Sequence, residues 1–189
     1  MRTCGVEIKG SEAVISLLSL DDGLFQILDC RARKVMLEGG TGSESLKRFQ
    51  FTFAKLMADY KIEKVVIRER PTKGKFAGGA PGFKIEAAIQ LIDDLDVELI
   101  SATKIKESLK KNPLQISLSE AGLKVFQEGA FNTAYAFLMM QMYPSLAAEE
   151  TPAVSLKSEK AEPVESEQTA DKPLKEKKKQ KDKTPSPWG

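Results

Sequence analysis

Three short runs rich in Val, Ile and Leu open the chain: residues 2–9 (RTCGVEIK), 12–20 (EAVISLLSL) and 24–30 (LFQILDC). Gly10-Ser11 and Asp21-Asp22-Gly23 separate them, and turns of this composition join antiparallel strands. The period then changes. Leu46, Phe49, Phe53, Leu56, Met57 and Tyr60 fall at helical intervals, and Thr41-Gly42-Ser43-Glu44 has capping-box spacing, which predicts a helix over about 44–60. KVVIRE (64–69) is a continuous apolar run ending in charge, as expected of a strand covered on both faces. A Gly/Lys-rich loop follows. Ile85, Ala88, Ile89 and Ile92 form one stripe of a helix over 81–93, and VELI (97–100) reads as another short buried strand. Thr103 is placed to cap a helix over 104–111 that Pro113 ends, and Ser117 with Glu120 repeats the capping-box spacing before helical sequence running to about 142, with a break at Gly129.

The order is β-β-β-α-β-α-β-α-α. A three-stranded antiparallel meander feeding βαβ units predicts an α/β fold with a mixed five-stranded sheet and helices on both faces. From Ser145 the pattern stops. The remaining residues are mostly Pro, Glu, Lys, Ser and Ala, too poor in large apolar side chains to offset ordering entropy. The expected organisation is one domain over 1–144 and a disordered charged tail over 145–189, without internal repeats.

Composition narrows the chemistry more than the fold. The 189 residues contain no histidine, which excludes histidine-based nucleophile activation and disfavours zinc. Hydrolysis, if present, falls to carboxylates with a hard cation such as Mg²⁺ or Mn²⁺. Cys4 and Cys30, without C-x-x-C spacing, read as small structural thiols. The net charge of +2 is evenly mixed, and the tail from Ser145 carries nine Lys and nine acids, so any nucleic-acid surface must be a local patch. No run approaches the roughly 18 apolar residues of a membrane span, and a strand pattern starts at once in place of a secretory leader. The expectation is a cytoplasmic protein without a membrane role.

Two acids stand where a charge needs a reason. Glu7 lies between Val6 and Ile8 in the first strand, and Glu69 follows Val65-Val66-Ile67. A carboxylate on a central strand is costly unless paired or bound to a metal, so each is either an ion-pair partner or half of a cation site. The segment TKGKFAGGAPGFK (72–84) joins Lys73, Lys75 and Lys84 to four glycines just after Glu69. Glycines let backbone approach a polyanion and lysines neutralise phosphate, although a mobile solvated loop has the same composition. Arg70 and Lys104 extend the basic set, while Phe76 and Phe83 suit either stacking on bases or anchoring the loop. Trp188, the single tryptophan, stands between Pro187 and Gly189 as a docking peptide for a protein partner would.

On these residues a resemblance becomes specific. The strand–acid–glycine opening CGVEIKG, VVIRE with the later alanine-rich KIEAAIQL, then ISATKIKESL and FNTAYAFLMM resemble, in order, the segments of RuvC-type Holliday-junction resolvases and their YqgF-like relatives. These are ribonuclease-H-like proteins, and the body also resembles an uncharacterised bacterial family of that fold. The resemblance implies a metal-dependent nuclease or resolvase-like protein acting on branched or structured DNA or RNA, often as a homodimer. Glu7 and Glu69 would then hold Mg²⁺ or Mn²⁺, with Glu128 or Asn132 of the last helix completing the site. Asn132 stands where the family places an acid, which leaves a catalytically impaired nucleic-acid-binding module, or an adaptor recruiting a partner through its tail, as alternatives.

Overall fold

A computed structural model of the protein describes residues 1–75 and 77–144. The expected tail, with Trp188, and Phe76 of the loop lie outside the described residues. Six strands and four helices are present among those described: β1 (Arg2–Lys9), β2 (Glu12–Asp21), β3 (Leu24–Leu28), β4 (Lys34–Met36), α1 (Ser43–Asp59), β5 (Lys64–Arg68), α2 (Ala80–Gln90), β6 (Asp96–Ile100), α3 (Ala102–Lys111) and α4 (Glu128–Met142). The sheet runs β3-β2-β1-β5-β6, with β4 also paired to β2. β1 to β3 form the antiparallel meander, whereas β5 and β6 lie parallel to β1. The mixed sheet of the expected α/β fold is therefore present.

It has six strands where the sequence pattern suggests five. The additional one, β4, is three residues long with Val35 alone buried, too short to show a period. It pairs with the beginning of β2 while β3 pairs with its end, so two short segments share one side of a long central strand.

Each face of the sheet is covered. Under α1 and α2 lie Cys4, Val6, Ile8, Ile15, Leu17, Val65 and Ile67, packed with Phe49, Phe53, Met57, Ile85 and Ile89. Under α3 and α4 lie Leu18, Val66 and Ile100, packed with Ile105, Phe131, Ala134 and Phe137. Alternation along β1 and β5 produces the division: even-numbered Cys4, Val6 and Ile8 face one way and Thr3, Gly5 and Glu7 the other. Burial, and less strongly the neighbouring Cys30, pushes the Cys4 thiol above its ordinary range. Both cysteines are free, as expected of structural thiols.

Three helix boundaries differ from expectation. Gly42, not Thr41, caps α1, and no side chain bonds its first turn. Ser101 takes the place expected of Thr103, accepting from the Lys104 amide, so α3 begins two residues early. Ser117 and Glu120 do make reciprocal capping-box bonds, but these enclose a single turn that Gly122 ends at φ +68°. The long helix starts only at Glu128, after a 3₁₀ turn at Val125–Gln127.

Where α4 crosses β1 the backbones are nearly in contact. A Cβ at Gly5 would meet the Ala130 carbonyl oxygen and lie 2.8 Å from the Ala134 Cβ. Only a glycine on the strand and alanines on the helix permit this approach. Gly5→Ala is expected to lower the unfolding free energy by about 1–3 kcal/mol through overpacking. Urea denaturation checks this, and an unchanged midpoint would contradict the close crossing.

Candidate functional site

β1, β5 and β6 end at the same edge of the sheet, where open α/β folds place their ligands. Parallel pairing aligns Val6 with Ile67, so the next residues, Glu7 and Arg68, stand side by side. Arg68 Nη1 donates to Glu7 Oε1 at 2.8 Å. Lys9 Nζ lies 2.8 Å from the other oxygen, Oε2. Oε2 is buried and accepts no directed hydrogen bond, so the lysine acts there as a nearby charge. Lys9 donates instead to the Phe126 carbonyl, just before α4.

α4 closes the site from above. A Cβ on Gly129 would fall onto the Glu7 carboxylate, so this glycine lets the first turn of α4 rest on the acid. The positive end of the helix dipole favours an anion there. Gln127 ties the same segment to the sheet through its amide nitrogen, which donates to the Ile15 carbonyl at 2.9 Å. The Glu7 side chain is 15% exposed and Arg68 37% exposed.

The structure brings together only part of the set expected from sequence. Glu7 is at the centre, but its neighbour on β5 is Arg68, not Glu69. Glu69 extends the ladder by donating its amide to the Ile100 carbonyl, and alternation turns its side chain away from the side of Arg68 and Glu7. Its carboxylate is exposed, with no hydrogen-bond or ion-pair partner among the described residues. Glu128 is exposed in the first turn of α4. Asn132 is half-buried one turn beyond Gly129, and its Oδ1 is buried without a hydrogen-bond partner. Among the described residues no group of three or more acids and cysteines is placed to hold a metal ion. The Mg²⁺ or Mn²⁺ implied by the resemblance thus does not fit the donor set present. One carboxylate, already facing two cations, does not offer a divalent ion the necessary charge.

The basic residues separate in the same way. Lys73 and Lys75 are exposed on the loop after β5, and Lys104 is exposed in the first turn of α3, directly after β6. These three, with Lys9 and Arg68, follow the ends of the parallel strands. Lys84 is exposed on α2 but donates to the Thr41 carbonyl. Arg70, expected to meet phosphate, does not face solvent. Its side chain is 11% exposed, lies 3.6 Å from Glu86 and stacks 4.1 Å over the Phe83 ring. Gly78 and Gly82 clear the space for its guanidinium. Phe83 therefore anchors the loop and is not available to bases.

Arg68, Lys9 and Gly129 were not singled out from sequence. Counting alternation from Val66 along β5 would have placed Arg68 on the face of Glu7. No local signal marks Lys9 or Gly129, because their roles arise where α4 meets β1.

In fold, the described residues are similar to Holliday-junction resolvases. The chain covers 75% of its length and 96% of the other in superposition on Thermus thermophilus RuvC, at 11% identity and a TM-score of 0.60. Against T. thermophilus RuvC in complex with Holliday junction substrate the values are 75%, 95%, 13% and 0.57. At such identities the likeness establishes fold alone. None of the curated proteins matches the chain. Residues 1–137 match the family described as protein of unknown function DUF3010, and the chain belongs to that family. No helix among the described residues is long and apolar enough to cross a membrane.

Removing Arg68 would leave a largely buried Glu7 with only an undirected lysine nearby. Arg68→Ala is expected to destabilise the protein by about 1–2 kcal/mol, a modest cost because the arginine is itself over a third exposed. Adding Glu7→Gln should restore part of the loss. A double-mutant cycle in urea measures this, and additive effects would mean that the pair contributes nothing.

Proposed function

We propose that this protein is a metal-independent nucleic-acid-binding module that uses the resolvase fold without hydrolysing its ligand. One observation carries the reading: cations follow the ends of three adjacent parallel strands. Lys9 and Arg68 lie at β1 and β5, Lys73 and Lys75 on the loop beyond β5, and Lys104 beyond β6. A phosphodiester backbone lying along that edge would meet positive charge at each strand. T. thermophilus RuvC, which shares the fold, is seen with a Holliday junction, and this favours branched DNA as the first ligand to try. Phosphate contacts position a protein and make binding sensitive to salt, but do not read sequence. The nuclease reading is disfavoured because Glu7 faces two cations and, among the described residues, no group of three or more acids and cysteines is placed to hold a metal.

Fluorescence anisotropy of the full chain with four-way-junction and duplex DNA tests the proposal. Binding should persist in excess EDTA, and incubation with Mg²⁺ or Mn²⁺ should leave the DNA uncut. Replacing Lys73 and Lys75 by Gln should weaken binding and reduce the slope of log affinity against log salt by about one to two. Cleavage abolished by Glu7→Gln would establish the nuclease reading instead, and absence of salt-sensitive binding would defeat the module reading.

A further inference from the structure

The mismatch between the fold and its expected metal has its own consequence. Arg68 stands in strand register beside Glu7, on the face covered by α4, where a second acid would share an ion. Its guanidinium supplies one positive charge against one carboxylate, so the pair is balanced without a metal. On the helix above it one acceptor lacks a partner: the buried Oδ1 of Asn132, one turn beyond the glycine that rests on Glu7. A buried acceptor without a donor is uncommon and costly, and an amide oxygen is a competent ligand for a hard cation.

We infer that the Arg68 guanidinium occupies the position a divalent cation would need between β1 and β5, and that its charge, more than that of Lys9, keeps the site from taking a metal. Exchanging the arginine for glutamate would put two carboxylates side by side, with the charge that a divalent ion balances. The shorter side chain would also vacate the space the guanidinium fills. The inference does not depend on nucleic-acid binding, since it is read out by metal alone.

The test is Mn²⁺ binding to the full chain, by calorimetry and by the loss of the free-ion paramagnetic resonance signal. The wild type is expected to bind Mn²⁺ no better than in the millimolar range, and Arg68→Glu at least about tenfold more tightly, in one equivalent. The thermal midpoint of the variant, but not of the wild type, should rise with Mn²⁺ concentration, because a ligand specific to the folded state stabilises it by mass action. Should the paired acids prevent folding without metal, Mn²⁺-dependent recovery of the folded circular-dichroism spectrum is the same result. Lys9→Gln combined with Arg68→Glu removes the remaining cation facing Glu7 and should bind more tightly still. If neither variant gains affinity or is rescued by Mn²⁺, the inference is wrong. It is equally wrong if the wild type already binds one Mn²⁺ tightly and loses it on Glu7→Gln.

Discussion

A carboxylate held under a helix at the end of a central strand must be neutralised within the protein. Most of this structure near its functional edge follows from how that is done for Glu7. Leaving an ionised group there unpaired would cost more than a domain of this size can readily lose. Arg68 bonds to one oxygen, Lys9 approaches the other, and the first turn of α4 presents its positive end through Gly129. Of these, the Gly129 contact reaches α4 itself, and Lys9 adds its bond to the Phe126 carbonyl just before that helix. The close crossing at Gly5 and the Gln127 bond to β2 continue that seam away from the charge.

This arrangement links fold and chemistry by an uncomplicated route. A metal-bearing version of such an edge gathers negative charge and lets an ion offset it. Here the offset is covalently part of the chain. Lys9, Lys73, Lys75 and Lys104 add positive charge around that offset, and the proposed binding of a phosphate backbone rests on them. Arg70 contributes to shape and not to that surface, since Glu86 and Phe83 hold it inside the glycine loop. The loop lysines are thus presented from a base fixed at Arg70.

Much of the fold was legible in the sequence because its signals are local and periodic. The three opening strands, the 3.6-residue stripes of α1 and α2, and the apolar run of β5 each reveal themselves within a few residues. Glu7 was legible too, as a charge between two core positions. What escaped depends on contacts across the sheet. The choice between Arg68 and Glu69 is a matter of strand parity, which the end of an apolar run does not settle. β4 is held by pairing with β2 and has almost no pattern of its own. Ser117 and Glu120 form their capping bonds, yet Gly122 turns the chain before a helix can grow. Arg70 looks like any surface arginine until α2 folds over it.

The central claim is that arginine, not metal, satisfies Glu7. A crystal grown in Mn²⁺ and examined by anomalous scattering addresses it directly. The account predicts Arg68 within hydrogen-bond reach of the Glu7 carboxylate and no anomalous peak beside it. A peak coordinated by Glu7, with the arginine swung away, would contradict it.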